Sequence, residues 1–174
     1  ELLFQQGEGE TAVYTFKHAL IQDAAYDLLL HRSRSEFHQK IAETIQRDYP
    51  EIATTQPEVV AQHFTKAGHN MDAAIWWRSA GERALYRSAY LEAVAHLREA
   101  ERMIAQLPEG EPRWSLDLGV QLLLGPALLM TRGHAARETE EAYLHANQLC
   151  GQLNNTHAQF PILYGLWSVY AVRP

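Results

Sequence analysis

The 174-residue chain has a single cysteine, Cys150, so no disulfide can form within it. Its fold must therefore depend on a hydrophobic core, and a chain without a disulfide suits a reducing compartment. We expect a cytoplasmic protein in which Cys150 is a small buried residue. Basic residues are also few: 15 Lys and Arg stand against 21 Asp and Glu, for a net charge of −6. This balance argues against a broad nucleic-acid or anionic-membrane surface, and neither partner is expected.

Long uninterrupted apolar runs are missing as well. The longest run, from Val120 to Met130, contains Gln121, Gly125 and Pro126 and falls short of the roughly 20 residues that span a bilayer. The N-terminal residues lack the pattern of a signal peptide. Because there is no initiator methionine and an apolar stretch runs to the end, we expect a piece of a longer protein.

The sequence motifs of catalysis and metal binding are absent. The chain contains no Gly-x4-Gly-Lys-Ser/Thr loop, no Gly-x-Ser-x-Gly elbow, no His-Glu-x-x-His and no Cys-x2-Cys. We therefore predict no catalytic, cofactor-binding or metal-binding residues and no enzyme activity. Of the nine histidines, His18 and His63 are expected to be partly buried packing residues. Exposed histidines are expected near breaks in the pattern: His31, His69, His134 and His157.

Apolar residues recur at helical spacing along much of the chain, with small residues at the positions where helices would touch. Between Met71 and Leu107, two apolar stripes recur at helical spacing. Alanine and glycine there let two antiparallel helices approach closely, and a unit of about 34 residues built this way must stack on neighbours to bury its apolar face. We predict seven repeat-packing residues: Trp77, Ala80, Gly81, Ala84, Ala93, Leu97 and Ala100.

The remaining pattern predicts a hairpin and further helices. Two strand-like runs, Leu2 to Gln5 and Ala12 to Phe16, flank the turn Gly7-Glu8-Gly9-Glu10. Helices are predicted over 18–30, 33–49, 55–67, 70–87, 88–107, 114–130, 137–152 and 159–172.

Helix ends are predicted from their capping residues. Four polar residues are candidate N-caps: Ser33, Thr55, Asn70 and Ser88. Gly68 is placed to end a helix in the left-handed conformation. Pro126 is expected to kink or split the helix that contains it.

The spacing Trp-x2-Ala-Gly-x2-Ala ending at Ala84, followed by Ala93, Leu97 and Ala100, resembles a tetratricopeptide repeat. The resemblance implies an all-α, tetratricopeptide-like helical-hairpin solenoid, here preceded by a short β-hairpin from a truncated winged-helix element. Three segments follow: 1–31 as the end of the winged-helix-like element, 32–69 as linker helices, and 70–174 as tetratricopeptide-like repeats.

The segment from Leu2 to Leu107 also resembles the junction in bacterial STAND-type signalling ATPases, where a winged-helix segment runs into tetratricopeptide repeats. The residues that carry this resemblance are Phe16, His18, Tyr26, Leu29, Arg34, His38, Ala61, His63, Phe64, Ala67 and Gly68. Such proteins often include a class III adenylate or guanylate cyclase domain. The resemblance implies a non-catalytic interaction or sensory scaffold. It would regulate an attached output domain by binding a protein partner or the upstream ATPase domain of the same chain.

Two alternative functions remain open from the sequence. One is the effector-binding helical domain of a winged-helix DNA-binding transcriptional regulator, although Glu8 and Glu10 at the hairpin tip would be repelled by phosphates. The other is a small-molecule sensor with a pocket lined by Trp114, Trp167 and Tyr170.

Four aromatic residues are candidate partner-binding positions: Trp76, Trp114, Trp167 and Tyr170. Trp76 and Trp77 project about 100° apart on a helix, so only one of them can face the core of its own repeat. We expect the other to pack on a preceding helix or to line a binding groove. Self-association through the end of the array near Ala171 is a further expectation.

Overall fold

A computed structural model describes residues 3–7, 12–28 and 30–172. Within these residues the chain forms a two-stranded hairpin followed by nine α-helices, with a short 3-10 turn at Thr156–Ala158 before the last. The elements are β1 (Leu3–Gln6), β2 (Val13–Phe16), α1 (Ala19–Leu28), α2 (His31–Asp48), α3 (Pro50–Thr55), α4 (Pro57–Ala67), α5 (Asn70–Tyr86), α6 (Tyr90–Ile104), α7 (Glu111–Arg132), α8 (Arg137–Gln152) and α9 (Gln159–Tyr170).

The hairpin is antiparallel, with Leu3 opposite Phe16 and Gln6 opposite Val13. Its first strand is followed by Gly7, whose φ of 88° is the left-handed conformation that glycine adopts without strain. The turn residues 8–11 lie outside the described residues. A two-stranded ribbon is marginal by itself, and α1 follows β2 after two residues and contacts it.

The helices pack as consecutive antiparallel pairs. Within the array, α5 packs on α6 and α7 on α8, while α4, α6 and α8 each also pack on the helix that follows. The next-but-one pairs α5–α7 and α7–α9 make smaller contacts. One continuous core extends from Ala42 on α2 to Ala142 on α8, and a smaller cluster surrounds Ile162 on α9. The predicted all-α array of helical hairpins behind a short β-hairpin is confirmed.

All four predicted N-caps are wrong. Ser33 and Asn70 lie inside helices, since α2 begins at His31 and α5 at Asn70 itself. Thr55 ends α3, and its hydroxyl donates to the carbonyl of Glu51 at 2.7 Å. Ser88 precedes the start of α6 by two residues, and Ala89 takes the N-cap position. Among the described helix starts from α2 onward, the α-helices begin without a side-chain cap hydrogen bond, and only the 3-10 turn has one, from Ala158 N–H to Asn155 Oδ1.

Three of the connections, those after α4, α5 and α8, end the preceding helix with a left-handed residue. Gly68, Ser88 and Asn154 have φ values of 77°, 59° and 50°. The residue after each donates its N–H to the carbonyl five positions back, as from His69 to Phe64 and from Ala89 to Ala84. This is the Schellman arrangement, which satisfies carbonyls left over at a helix end. The expectation for Gly68 is confirmed, and Ser88 turns out to hold the equivalent position after α5.

Pro126 lies inside α7, which continues through it from Glu111 to Arg132. Of the two expected outcomes the split is therefore wrong, and the kink stays a prediction. A proline inside a helix costs about 3 kcal/mol, but α7 contacts α5, α6, α8 and α9, and this packing holds it together. By length and composition alone α7 would also span a membrane, and half of its most apolar stretch is buried inside the array. Its apolar character is explained by neighbours on several sides.

Candidate functional site

The contact between α5 and α6 is built on a glycine. A methyl group at Gly81 would lie only 2.5 Å from Cγ of Leu97, so the leucine side chain occupies the space that any other residue would need. All seven predicted repeat-packing residues are buried. They are Trp77, Ala80, Gly81 and Ala84 on α5 and Ala93, Leu97 and Ala100 on α6.

Trp77 joins three helices at this contact. Its indole N–H donates to the hydroxyl of Thr65 on α4 at 3.0 Å, and its ring stacks on His96 of α6 with centroids 5.4 Å apart. Burial of a large ring with its N–H satisfied is a strong packing element. Trp76, the neighbouring candidate, is half-buried against the same core.

A second glycine contact repeats the pattern further along. The ring of Tyr143 on α8 lies against Gly125 of α7, where a methyl group would come within 2.8 Å of it, and also against Gly165 of α9. Burial raises the pKa of the Tyr143 hydroxyl. One aromatic side chain thus packs between two glycine-bearing helices, which explains why α7, α8 and α9 approach so closely.

A polar cluster lies between α6, α7 and α8. The amide of Gln121 donates to Glu101 at 2.8 Å and to Asp117 at 3.1 Å, and His145 Nε2 lies 3.2 Å from the other Asp117 oxygen. Asp117 and Gln121 are 8% and 1% exposed. With Arg113 these side chains line a small cavity of ≈ 140 Å³. Because the buried groups satisfy one another, the cluster fixes the orientation of three helices.

The His145–Asp117 contact predicts a pH-dependent contribution to stability. The hydrogen bond to Asp117 raises the pKa of His145, and the nearby carboxylates add to this, against the opposing effect of burial. A group whose pKa is raised in the folded state contributes to stability. The contribution is fully present below the unfolded pKa of about 6.5 and is lost as the pH rises through the folded pKa.

We therefore expect His145→Gln to lower the free energy of unfolding at about pH 6 by less than about 1 kcal/mol, since the pair is partly exposed to solvent. At about pH 9 the difference should vanish. Urea unfolding followed by circular dichroism measures both values. The matched control is His157→Gln on an exposed histidine. A His145 effect that grows with pH would contradict the assignment.

The histidines are distributed differently from the prediction. His18 is exposed just before the start of α1, so its expected burial is wrong. His69 and His134 are half-buried and His157 is exposed, while the side chain of His31 lies outside the described residues. His63 is half-buried as expected, and its Nδ1 lies 2.8 Å from Nδ1 of His38.

The four candidate partner-binding aromatics divide into two kinds. Trp76 and Trp114 are half-buried, and the Trp114 indole N–H donates to Glu109 at 2.9 Å. Trp167 and Tyr170 are exposed on α9. Trp114 packs against the C-terminal core beside Leu118 and Leu166. The small-molecule pocket and the partner-binding role of all four aromatic residues stay predictions.

The exposed side of α9 carries a row of aromatic rings, which we call the α9 aromatic face (Phe160, Tyr164, Trp167 and Tyr170). Phe160 and Tyr164 stack with centroids 6.5 Å apart, and Tyr164 lies 5.7 Å from Trp167. Phe160, Tyr164 and Trp167 are each more than 60% exposed. The whole of α9 contains no charged residue, whereas Ile162, Gly165 and Val169 on its other side are buried in the array. Exposed aromatic patches of this kind are typical of contact surfaces.

Among the residues that the structure describes, no group of three or more His, Cys, Asp and Glu side chains is placed to hold a metal ion. Cys150 is buried on α8, where its thiol donates to the carbonyl of Asn155.

Comparison with known proteins gives one distant relative and no family. The chain is 28% identical over 161 residues to an uncharacterised protein of Rhizobium meliloti (strain 1021). The aligned region covers 91% of this chain but 16% of that relative, so the chain spans about a sixth of its length. No family model matches the chain, and no solved structure matches it either.

Proposed function

We propose that this chain is a non-catalytic protein-interaction arm of a larger signalling protein, similar to the tetratricopeptide region of a STAND-type ATPase. On this proposal the arm regulates an attached output domain, such as a nucleotide cyclase. The α9 aromatic face carries the proposal, because a charge-free aromatic surface in water is best explained by a partner that covers it. The much greater length of the Rhizobium meliloti relative supports an arm within a multidomain protein.

The partner that fits this face is a helix with an apolar stripe. Phe160, Tyr164 and Trp167 recur at the i, i+4, i+7 spacing that packs one helix on another. The buried side of α5 uses the same spacing at Trp77, Gly81 and Ala84. Because α9 offers no charge, its partner needs no complementary charge at the centre of the contact and would bind through burial of apolar surface.

Photo-crosslinking from position 167 tests this proposal. In the intact protein, Trp167 is replaced by benzoyl-phenylalanine, and the crosslinked peptides are identified by mass spectrometry. We expect crosslinks into a helical segment with apolar residues at i, i+3 and i+4. The matched control places the same probe at Tyr86, which is 92% exposed at the end of α5.

Crosslinks from position 167 no more frequent than from position 86 would contradict the proposal. Crosslinks from 167 into α9 of a second copy would show self-association in place of a regulatory partner, and crosslinks into lipid would also contradict it. Nucleotide turnover of the intact protein provides the regulatory test. Trp167→Ala should change that turnover and Tyr86→Ala should not.

A further inference from the structure

The outer side of α2 carries an apolar stripe that the rest of the chain leaves uncovered. Phe37 and Ile41 are 51% and 41% exposed, and Tyr49 just after the helix is 54% exposed. Together with the half-buried Ile45 they line an open groove of ≈ 340 Å³. On the opposite side of the helix, Ala42 is completely buried in the core that α2 shares with α4. The stripe is therefore a second apolar surface on a helix that already packs on the array.

A row of exposed charges runs directly beside this stripe, and we call it the α2 charged row (Glu36, Lys40, Glu43 and Arg47). Its members follow the i, i+4, i+7 and i+11 spacing of one helix flank, and their signs alternate. Three of them have exposed neighbours, as in the Arg32–Glu36 and Arg47–Asp48 ion pairs and the Gln39–Glu43 hydrogen bond. Exposed pairs of this kind are worth little, so they can be exchanged for others. Lys40 makes no ion pair in the part of the chain that the structure describes.

The order of these charges matches a second α2 that runs in the opposite direction. Positions 40 and 43, and likewise positions 36 and 47, are each centred on the midpoint between residues 41 and 42. About a twofold axis at that midpoint, Lys40 faces Glu43 of the second copy, and Glu36 faces Arg47 of the second copy. Ile41 then lies beside the same residue of the second copy at the centre of the contact. A parallel pair would instead place every charge opposite itself, which is repulsive.

We infer that the outer side of α2 is a dimerisation surface, which binds α2 of a second copy of this chain in the antiparallel direction. Burial of the apolar stripe drives the contact, and the α2 charged row sets its direction. One face of an 18-residue helix is smaller than a standard interface of about 1,600 Å², so the dimer dissociates on dilution. This surface is separate from partner binding at α9.

Analytical ultracentrifugation of the 174-residue chain tests the surface. We expect a monomer–dimer equilibrium. Ile41→Glu, which would bury two carboxylates beside the twofold axis, should raise the dimer dissociation constant about tenfold or more. The matched control is Leu91→Glu, on a leucine that is 73% exposed on α6, and it should leave the dissociation constant unchanged. Circular dichroism checks that both variants fold.

Reversal of the charges tests the direction of the contact. Lys40→Glu and Glu43→Lys each place like charges opposite one another at two symmetry-related positions, so each should weaken the dimer roughly threefold or more. The double variant Lys40→Glu with Glu43→Lys restores both pairs with their signs exchanged, and it should recover dimerisation. In a parallel pair, each single reversal would only exchange one like-charge contact for another.

Three results would overturn the inference. The first is a chain that stays monomeric at every concentration. The second is a dimer that Ile41→Glu does not weaken; if Trp167→Glu abolishes that dimer, the contact lies on α9 instead. The third is a double charge reversal that dimerises no better than the single reversals, since the row would then make no contact across the axis.

Discussion

Replacing Leu97 with alanine is expected to lower the free energy of unfolding by about 3–5 kcal/mol. Leu97 is completely buried and fills the space beside Gly81 at the most extensive helix contact of the array. Removing its branched end leaves a cavity that the alanine-lined helices cannot collapse to fill. Urea unfolding followed by circular dichroism measures the loss.

The control for this substitution is Leu91→Ala on the same helix. Leu91 is 73% exposed, so its replacement should change stability by less than about 0.5 kcal/mol. Equal effects of the two substitutions would show that α6 does not pack through Leu97.

Replacing Gly81 with valine is expected to lower the free energy of unfolding by about 2–3 kcal/mol. The added Cβ would lie 2.5 Å from Cγ and 2.7 Å from Cδ2 of Leu97, which is closer than carbon atoms approach. Relief requires α5 and α6 to separate, and the remaining alanine contacts then lose their packing. The same unfolding experiment measures the loss.

Two further variants show that the cause is steric. Gly151 lies in α8 with no atom within 4 Å of an added Cβ, so Gly151→Ala should raise stability by about 0.5–1 kcal/mol through helix propensity. The double variant Gly81→Val with Leu97→Ala should lose less than the sum of the single losses, because the valine methyl groups enter the space left by the leucine. A strictly additive double variant would contradict the contact between the two positions.

The repeating parts of the fold follow from the sequence because a single period specifies them. A stripe such as Ala93, Leu97 and Ala100 predicts both a helix and its buried face, and a glycine within the facing stripe predicts close approach. α8 therefore begins and ends at the predicted residues, Arg137 and Gln152. The fold class could be predicted from this helical period and from the turns between the helices.

Helix ends could not be predicted in the same way. A serine or asparagine before an apolar stripe favours an N-cap by local propensity. In this protein, however, the backbone after α4 and α5 first closes the preceding helix, and Ser88 is used for that purpose. Whether a residue caps the next helix or closes the preceding one depends on the length of the connection, and local propensity carries no information about that length. Pro126 is a similar case, since packing of α7 on four helices outweighs a local preference for a break.

The polar sites were missed because their members are far apart in the chain. Asp117 and Gln121 are an i, i+4 pair that the sequence offers as a signal, but Glu101 and His145 join them from other helices. His38 and His63 are likewise brought together only when α2 packs on α4. Two members of the α9 aromatic face, Trp167 and Tyr170, were named from the sequence as candidate partner-binding residues. One buried side of a helix cannot hold several large rings, so some of them must be exposed.

The sequential packing of the helices also determines how the molecule would respond to mechanical pulling. Each closely packed pair of helices lies within two places along the chain, so tension applied at its two ends would pass through every interface in turn. Such an array stretches elastically and then yields one hairpin at a time, beginning at the weakest joint. Among the described helix pairs, α5 and α6 make the most extensive contact, so we expect that hairpin to be the last to open.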